Sequence, residues 1–214
     1  MKNLFIIILF ATLLSGCASN VKLSGRFLSN VDEDINIDKS SSILVVSDSS
    51  GDKLTNKRYV SDIITAFKAR GFTSISTHEI TPDYTLVFNF TYSKETELKS
   101  IPIFKRERSR AYRVCHQNKD GKTRTCRIQR HFSAPMIAGY QSITTPINLY
   151  TFEFTLENKQ DNTVLHSIST AMHESCSQWK VYDFLVSDAI SKTSFSQPID
   201  TEYSVTMPKD YNCQ

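Results

Sequence analysis

The stretch "YTLVFNFTY" at residues 84–92 leaves the chain little freedom. Tyr84, Leu86, Phe88, Phe90 and Tyr92 alternate with Thr85, Val87, Asn89 and Thr91, the two-residue period of a strand that buries one face. Such a strand needs neighbours along its edges and a layer to cover its aromatic side. Neighbours are on offer in "INLYTFEFTLE" at 147–157 and "TVLHSISTAM" at 163–172, which flank "NKQDN" as the arms of an antiparallel hairpin would. "SILVVS" at 42–47, closed by Ser49-Ser50-Gly51-Asp52, predicts a further short strand, and 72–77 another.

The covering layer is predicted by two helical patterns. Tyr59, Val60, Ile63, Ile64 and Phe67 fall at helical spacing, with Thr55 as a candidate N-cap and Gly71 as the stop. Trp179, Tyr182, Leu185, Val186, Ala189 and Ile190 repeat the pattern, after Ser175 and Gln178 at capping-box spacing, in a helix ending near Phe195. The last eighteen residues, with Pro198 and Pro208, read as irregular. Neighbouring strands with helices set apart from them predict the α+β class. The expected form is a mainly antiparallel sheet with two helices on one side. Thirteen Phe and nine Tyr make that sheet aromatic-rich, and 40% hydrophobic content with six Gly and six Pro excludes a disordered chain.

The first sixteen residues, "MKNLFIIILFATLLSG", have Lys2, an apolar run from Leu4 to Leu14, and then small residues. This is the build of a secretory signal peptide, with an apolar run too short to span a bilayer. Leu14-Ser15-Gly16-Cys17 resembles the lipobox of bacterial lipoproteins. The resemblance implies cleavage before Cys17, diacylation of its sulfur and acylation of its amine. Two or three acyl chains at about 0.8 kcal/mol per buried CH₂ make a lasting anchor. Ala18 and Ser19, with no Asp after the cysteine, imply by family analogy the outer membrane; the expected orientation is towards the periplasm. The expected organisation is a signal peptide at 1–16, a lipidated polar tether at 17–40 and one α+β domain at 41–214, with a basic hairpin inserted at 98–146.

That insertion contains "YRVCHQNKDGKTRTCRIQRHF" at 112–132. Asp120-Gly121 is a strong signal for a two-residue type I′ turn. With those two residues at the turn, opposed positions sum to 241, and Cys115 and Cys126 face each other in a hydrogen-bonded pair, where a disulfide fits. An oxidising compartment favours it. By elimination Cys176 pairs with Cys213. Both faces of the hairpin carry arginine, so neither can lie flat on an apolar core, and the hairpin is expected to project as a stapled ribbon.

Charge is segregated. Residues 105–131 hold ten Lys and Arg against Glu107 and Asp120, a net of +8, so the rest of a chain of net +3 carries −5. Arg106, Arg108, Arg110, Arg113, Lys119, Lys122, Arg124, Arg127 and Arg130 are the candidate anion-binding residues. An anionic envelope polymer, a lipid headgroup and an acidic protein are the partners this charge fits. Tyr112 and Phe132 interleave with arginine as in a single-strand binder, but an acylated envelope protein does not share a compartment with nucleic acid, so none is expected.

No G-x-S-x-G, phosphate-binding loop, dinucleotide-binding glycine pattern or C-x-x-C is present. His173-Glu174 begins like H-E-x-x-H, but Ser177 stands where the second ligand belongs. His78, His116, His131, His166 and His173 are scattered singly. A metal set of Cys115, His116, Cys126 and His131 competes poorly with the disulfide, and a Cys176–His173 nucleophile would need an unpaired thiol. No catalytic residue, metal or cofactor is expected. "SILVVSDSSG", the helix through "VSDIITAFKARGF" and "ITPDYTLVFNFTY" resemble small envelope lipoproteins, including a family of unknown function and relatives of the curli secretion component. The resemblance implies a strand–helix–strand opening and carries no functional residues. The function expected is that of a non-catalytic binding or assembly module acting through the basic hairpin. The alternatives are an envelope hydrolase or transferase with an unmotifed site, or a purely structural lipoprotein.

Overall fold

A computed structural model describes residues 21–78, 81–105, 111–117, 119, 121, 124–130, 134–208, 211 and 213. The signal peptide with Cys17, the turn residue Asp120, and Arg106, Arg108, Arg110, Lys122 and His131 lie outside the described residues. In chain order the elements are β1 (Lys22–Val31), β2 (Ser42–Ser47), α1 (Lys53–Ala69), β3 (Ser74–Ser76) and β4 (Tyr84–Lys105). They continue with β5 (Ala111–Gln117), β6 (Arg124–Arg130), β7 (Met136–Asn158), β8 (Thr163–His173), α2 (Gln178–Lys192) and β9 (Ile199–Thr206). The class is α+β, with sheet predominating. The chain divides into two compact units, one built from residues up to Glu95 and from Pro146 onward, the other Thr96–Thr145.

The larger unit holds a sheet of order β3-β2-β4-β7-β8-β1-β9. β8 is antiparallel to β7 and β1, and β9 to β1. β2 runs parallel to both β3 and β4, because α1 carries the chain back across the sheet between β2 and β3. The buried face follows the two-residue period: Leu86, Phe88 and Phe90 in β4, and Tyr150, Phe152, Phe154 and Leu156 in β7. Phe90 stacks on Phe152 at 4.8 Å and meets Tyr59 of α1 at 4.8 Å and Tyr182 of α2 at 4.7 Å. Both helices therefore cover the same face. α1 packs over β2 and β3, and α2 over β8, where Ser167, Ser169 and Ala171 are small enough to admit a helix backbone.

Two segments differ from the sequence reading. Residues 22–31, read as part of the tether, form β1, hydrogen-bonded between β8 and β9. Leu23, Gly25, Phe27 and Ser29 are its buried positions, so the alternation exists, but a glycine and a serine stand where large side chains would have announced it. Part of the tail read as irregular forms β9. Pro198 stands before its first residue and Pro208 after its last, where proline removes no ladder bond.

The helix caps also differ. Asp52, not Thr55, caps α1: its carboxylate accepts from the Leu54 amide at 3.1 Å, and the Thr55 hydroxyl donates to it at 2.6 Å. Gly71, at φ +97°, supplies the left-handed stop. Ser177, not Ser175, is the N-cap residue of α2, with no side-chain capping bond, and the Ser175 and Cys176 amides donate to His173 Nδ1 at 3.0 and 2.9 Å. It ends at Lys192, where Arg70 donates to the carbonyls of Ser191 and Thr193. No helix among the described residues is long and apolar enough to cross a membrane.

Candidate functional site

In the unit Thr96–Thr145, β5 and β6 form a two-stranded antiparallel sheet in the register Tyr112↔Gln129, Arg113↔Ile128, Val114↔Arg127, Cys115↔Cys126, His116↔Thr125 and Gln117↔Arg124. Every opposed pair sums to 241. Gly121, at φ +68°, has the left-handed backbone that a primed turn requires, and Gln117 Nε2 donates to its carbonyl at 2.8 Å. Cys115 and Cys126 are disulfide-bonded with their Cα atoms 4.0 Å apart. This is closer than the hydrogen-bonded spacing expected from counting outward from the turn, about 5.5 Å.

The stapled strands place cations on both faces. Arg113 and Arg124 share the face of the disulfide, and Arg127 lies on the other with Tyr112. Arg113, Lys119, Arg124 and Arg127 are exposed, and none has an ion-pair partner among the described residues. The three arginines of the larger unit are all engaged. Arg26 donates to Asp200 at 2.8 Å, Arg58 lies 4.9 Å over the Trp179 ring, and Arg70 closes α2. Seven of the ten arginines fall between 106 and 130, so guanidinium is concentrated where the fold gives it least to do. Arg130 ends β6, and the cations at 106, 108, 110 and 122 lie outside the described residues.

What charge patterning alone missed is the apolar content of the same unit. No described residue of Thr96–Thr145 is buried. Nine of the fourteen large apolar side chains left exposed among the described residues lie within it, so the unit is as unusual in exposed hydrophobic surface as in charge. Ile128 is 69% exposed and Leu98 76%.

The remaining candidates resolve into structural roles. Cys176 and Cys213 are disulfide-bonded, Cα atoms 4.8 Å apart, beside His173. The two sulfurs and the histidine nitrogen lie within 4.8 Å of one another, the spacing of a metal site or a thiol–imidazole pair. The disulfide consumes both thiolates, and His173 Nδ1 already accepts two backbone amides, while burial pushes its pKa down. The cluster instead pins the tail to the start of α2, aided by Tyr150, whose hydroxyl donates to the Cys176 carbonyl at 2.7 Å, and Tyr211, which donates to that of Lys180 at 2.8 Å. His116 faces away from the two cysteines of its metal set, and His131 lies outside the described residues. Burial pushes the Tyr59 and Tyr182 phenols well up, and each donates to a backbone carbonyl, of Trp179 and Thr91. The Lys159 ammonium and then the Ser42 amide and hydroxyl hold the Asp83 carboxyl down to about 2. That trio ties the β7–β8 turn to the start of β2.

No protein-family model matches the chain, and no curated protein matches its sequence. Among solved structures it is similar to a PDZ domain protein from Parabacteroides distasonis, at 11% identity and a TM-score of 0.40, over 90% of this chain and 41% of that one. The chain thus spans about two fifths of that protein's length.

Proposed function

We propose that this is an outer-membrane lipoprotein, anchored through acyl chains on Cys17 and facing the periplasm, whose stapled basic ribbon is a non-catalytic contact surface for an anionic envelope component. One observation carries the reading: Arg113, Lys119, Arg124 and Arg127 are exposed and unpaired among the described residues, while every arginine of the larger unit is engaged. Exposed cations without internal partners cost a fold self-repulsion and return rapid, oriented encounter with anions. The Leu14-Ser15-Gly16-Cys17 motif supports the anchor.

The contact is isolated from the anchor in a Cys17→Ser chain mixed with vesicles containing phosphatidylglycerol. Replacing Arg113, Arg124 and Arg127 by Glu on that background should weaken retention at least about 100-fold at low salt, at about 1 kcal/mol per basic side chain. Raising the salt should imitate the change. Retention indifferent to both would sink the reading. For the anchor, Cys17→Ser should release the protein from cell membranes washed in high salt, and its persistence there would overturn the localisation.

A further inference from the structure

Resting on that reading, we propose that the ribbon's partner is the surface of an anionic phospholipid bilayer, and that Thr96–Thr145 inserts apolar side chains into its interfacial layer. No described residue of the unit is buried, yet Leu98, Phe104, Tyr112, Ile128, Met136 and Tyr140 stand 47–76% exposed among its cations. Apolar surface of this density marks an interaction site.

The way charge and apolarity mix selects the partner. On one face of the stapled strands Ile128 is opposed to Arg113; on the other, Val114 is opposed to Arg127, beside Tyr112. A protein–protein contact depletes its buried centre of charge other than arginine and leaves the rest at the rim, and it takes up one face of a strand pair. A bilayer interface rewards interleaving. Apolar side chains reach the acyl boundary, arginine stems lie along them with guanidinium groups at the phosphates, and tyrosine rings settle at headgroup depth. An interfacial layer also receives both faces of a thin ribbon, which one flat protein surface cannot. The net charge of +8 within the unit supplies the attraction to anionic headgroups.

The same geometry limits the depth. β5 and β6 form a sheet of only two strands, so among the described residues each has an outer row of backbone donors and acceptors with no strand beside it. Hydrocarbon would leave those groups unsatisfied. Insertion therefore stops at the boundary between headgroups and acyl chains.

The test places a reporter at the most informative position, Ile128→Trp in the full chain, with the parent protein controlling for Trp179. Vesicles of phosphatidylcholine with 30% phosphatidylglycerol, brominated on their acyl chains, should quench the new tryptophan, and more strongly with bromine near the headgroup than near the chain ends. Pure phosphatidylcholine should quench little. Replacing Tyr112 and Ile128 by Ser should lower retention of the Cys17→Ser chain about ten-fold, with the arginines untouched. Retention that is fully abolished by salt, with no quenching and no effect of the two serines, would overturn insertion and leave an electrostatic module standing. Binding to polyglutamate but not to vesicles would likewise overturn insertion in favour of an acidic protein partner. Binding to neither would remove both readings at once.

Discussion

A valine at position 25 should cost the larger unit about 3 kcal/mol or more, a large part of the stability of an ordinary domain. Gly25 is buried in β1, and a Cβ built on it would lie 1.7 Å from the Thr170 carbonyl oxygen and 2.9 Å from the Tyr203 hydroxyl. Neither neighbour can withdraw cheaply. The Thr170 carbonyl belongs to the β8 backbone and accepts from the Tyr203 hydroxyl at 2.6 Å, while the Arg26 amide donates to Thr170 Oγ1 at 3.1 Å. β1 is also held on both sides, by β8 and β9, so it cannot move away from one ladder without disturbing the other. The measurement is the urea midpoint at constant m. Gly139→Ala is the control, because nothing lies within 4 Å of that position, and it should stay within about 0.5 kcal/mol. A Gly25→Val chain as stable as the control would show that β1 is not fixed as described.

Gly25 also marks where the sequence stops being readable. β4 and β7 were predictable because large side chains fill their buried positions, so the two-residue period stands out of the composition. β1 has the same period, but Gly25 and Ser29 occupy half of its inward sites, and the reason lies in partners far along the chain: Tyr203 reaches over Gly25, and α2 lies over the β8 serines. A small residue selected by a distant neighbour looks, in isolation, like a linker residue. Asp52 was hidden differently. Thr55, which looked like the cap, is a donor to the true one, and both residue types suit the position.

The candidate site divides along a similar line. The pairing of Cys115 with Cys126 followed from local rules, because a two-residue turn fixes register over its whole hairpin. Charge was legible by counting. The exposed apolar side chains were not, since an isoleucine is read as core unless something shows that no core is there to receive it. That knowledge comes from the burial of a whole unit, which no short window contains.

Removing the two disulfides should produce different failures, and the difference tests whether the ribbon has any stability apart from its staple. In the chain-entropy picture the bridge between Cys115 and Cys126, eleven residues apart, contributes about 3 kcal/mol, and that between Cys176 and Cys213, thirty-seven apart, about 4 kcal/mol. The first serves strands in which no described residue is buried, and two strands alone are marginal in water. Cys115→Ser with Cys126→Ser should therefore collapse amide protection across β5 and β6 by about 100-fold while leaving the urea midpoint of the larger unit in place. Cys176 is buried in the main core at the approach to α2, and its partner holds the tail through the Ser177 amide. Cys176→Ser with Cys213→Ser should instead lower the global midpoint. If both pairs lowered the global midpoint equally, the ribbon would have to share a cooperative unit with the core. Vesicle binding follows from the first pair. A ribbon that has lost its register still carries its arginines, so salt-sensitive retention should survive in part. Ordered quenching at position 128 should be lost, because a flexible chain has no fixed face to offer the bilayer.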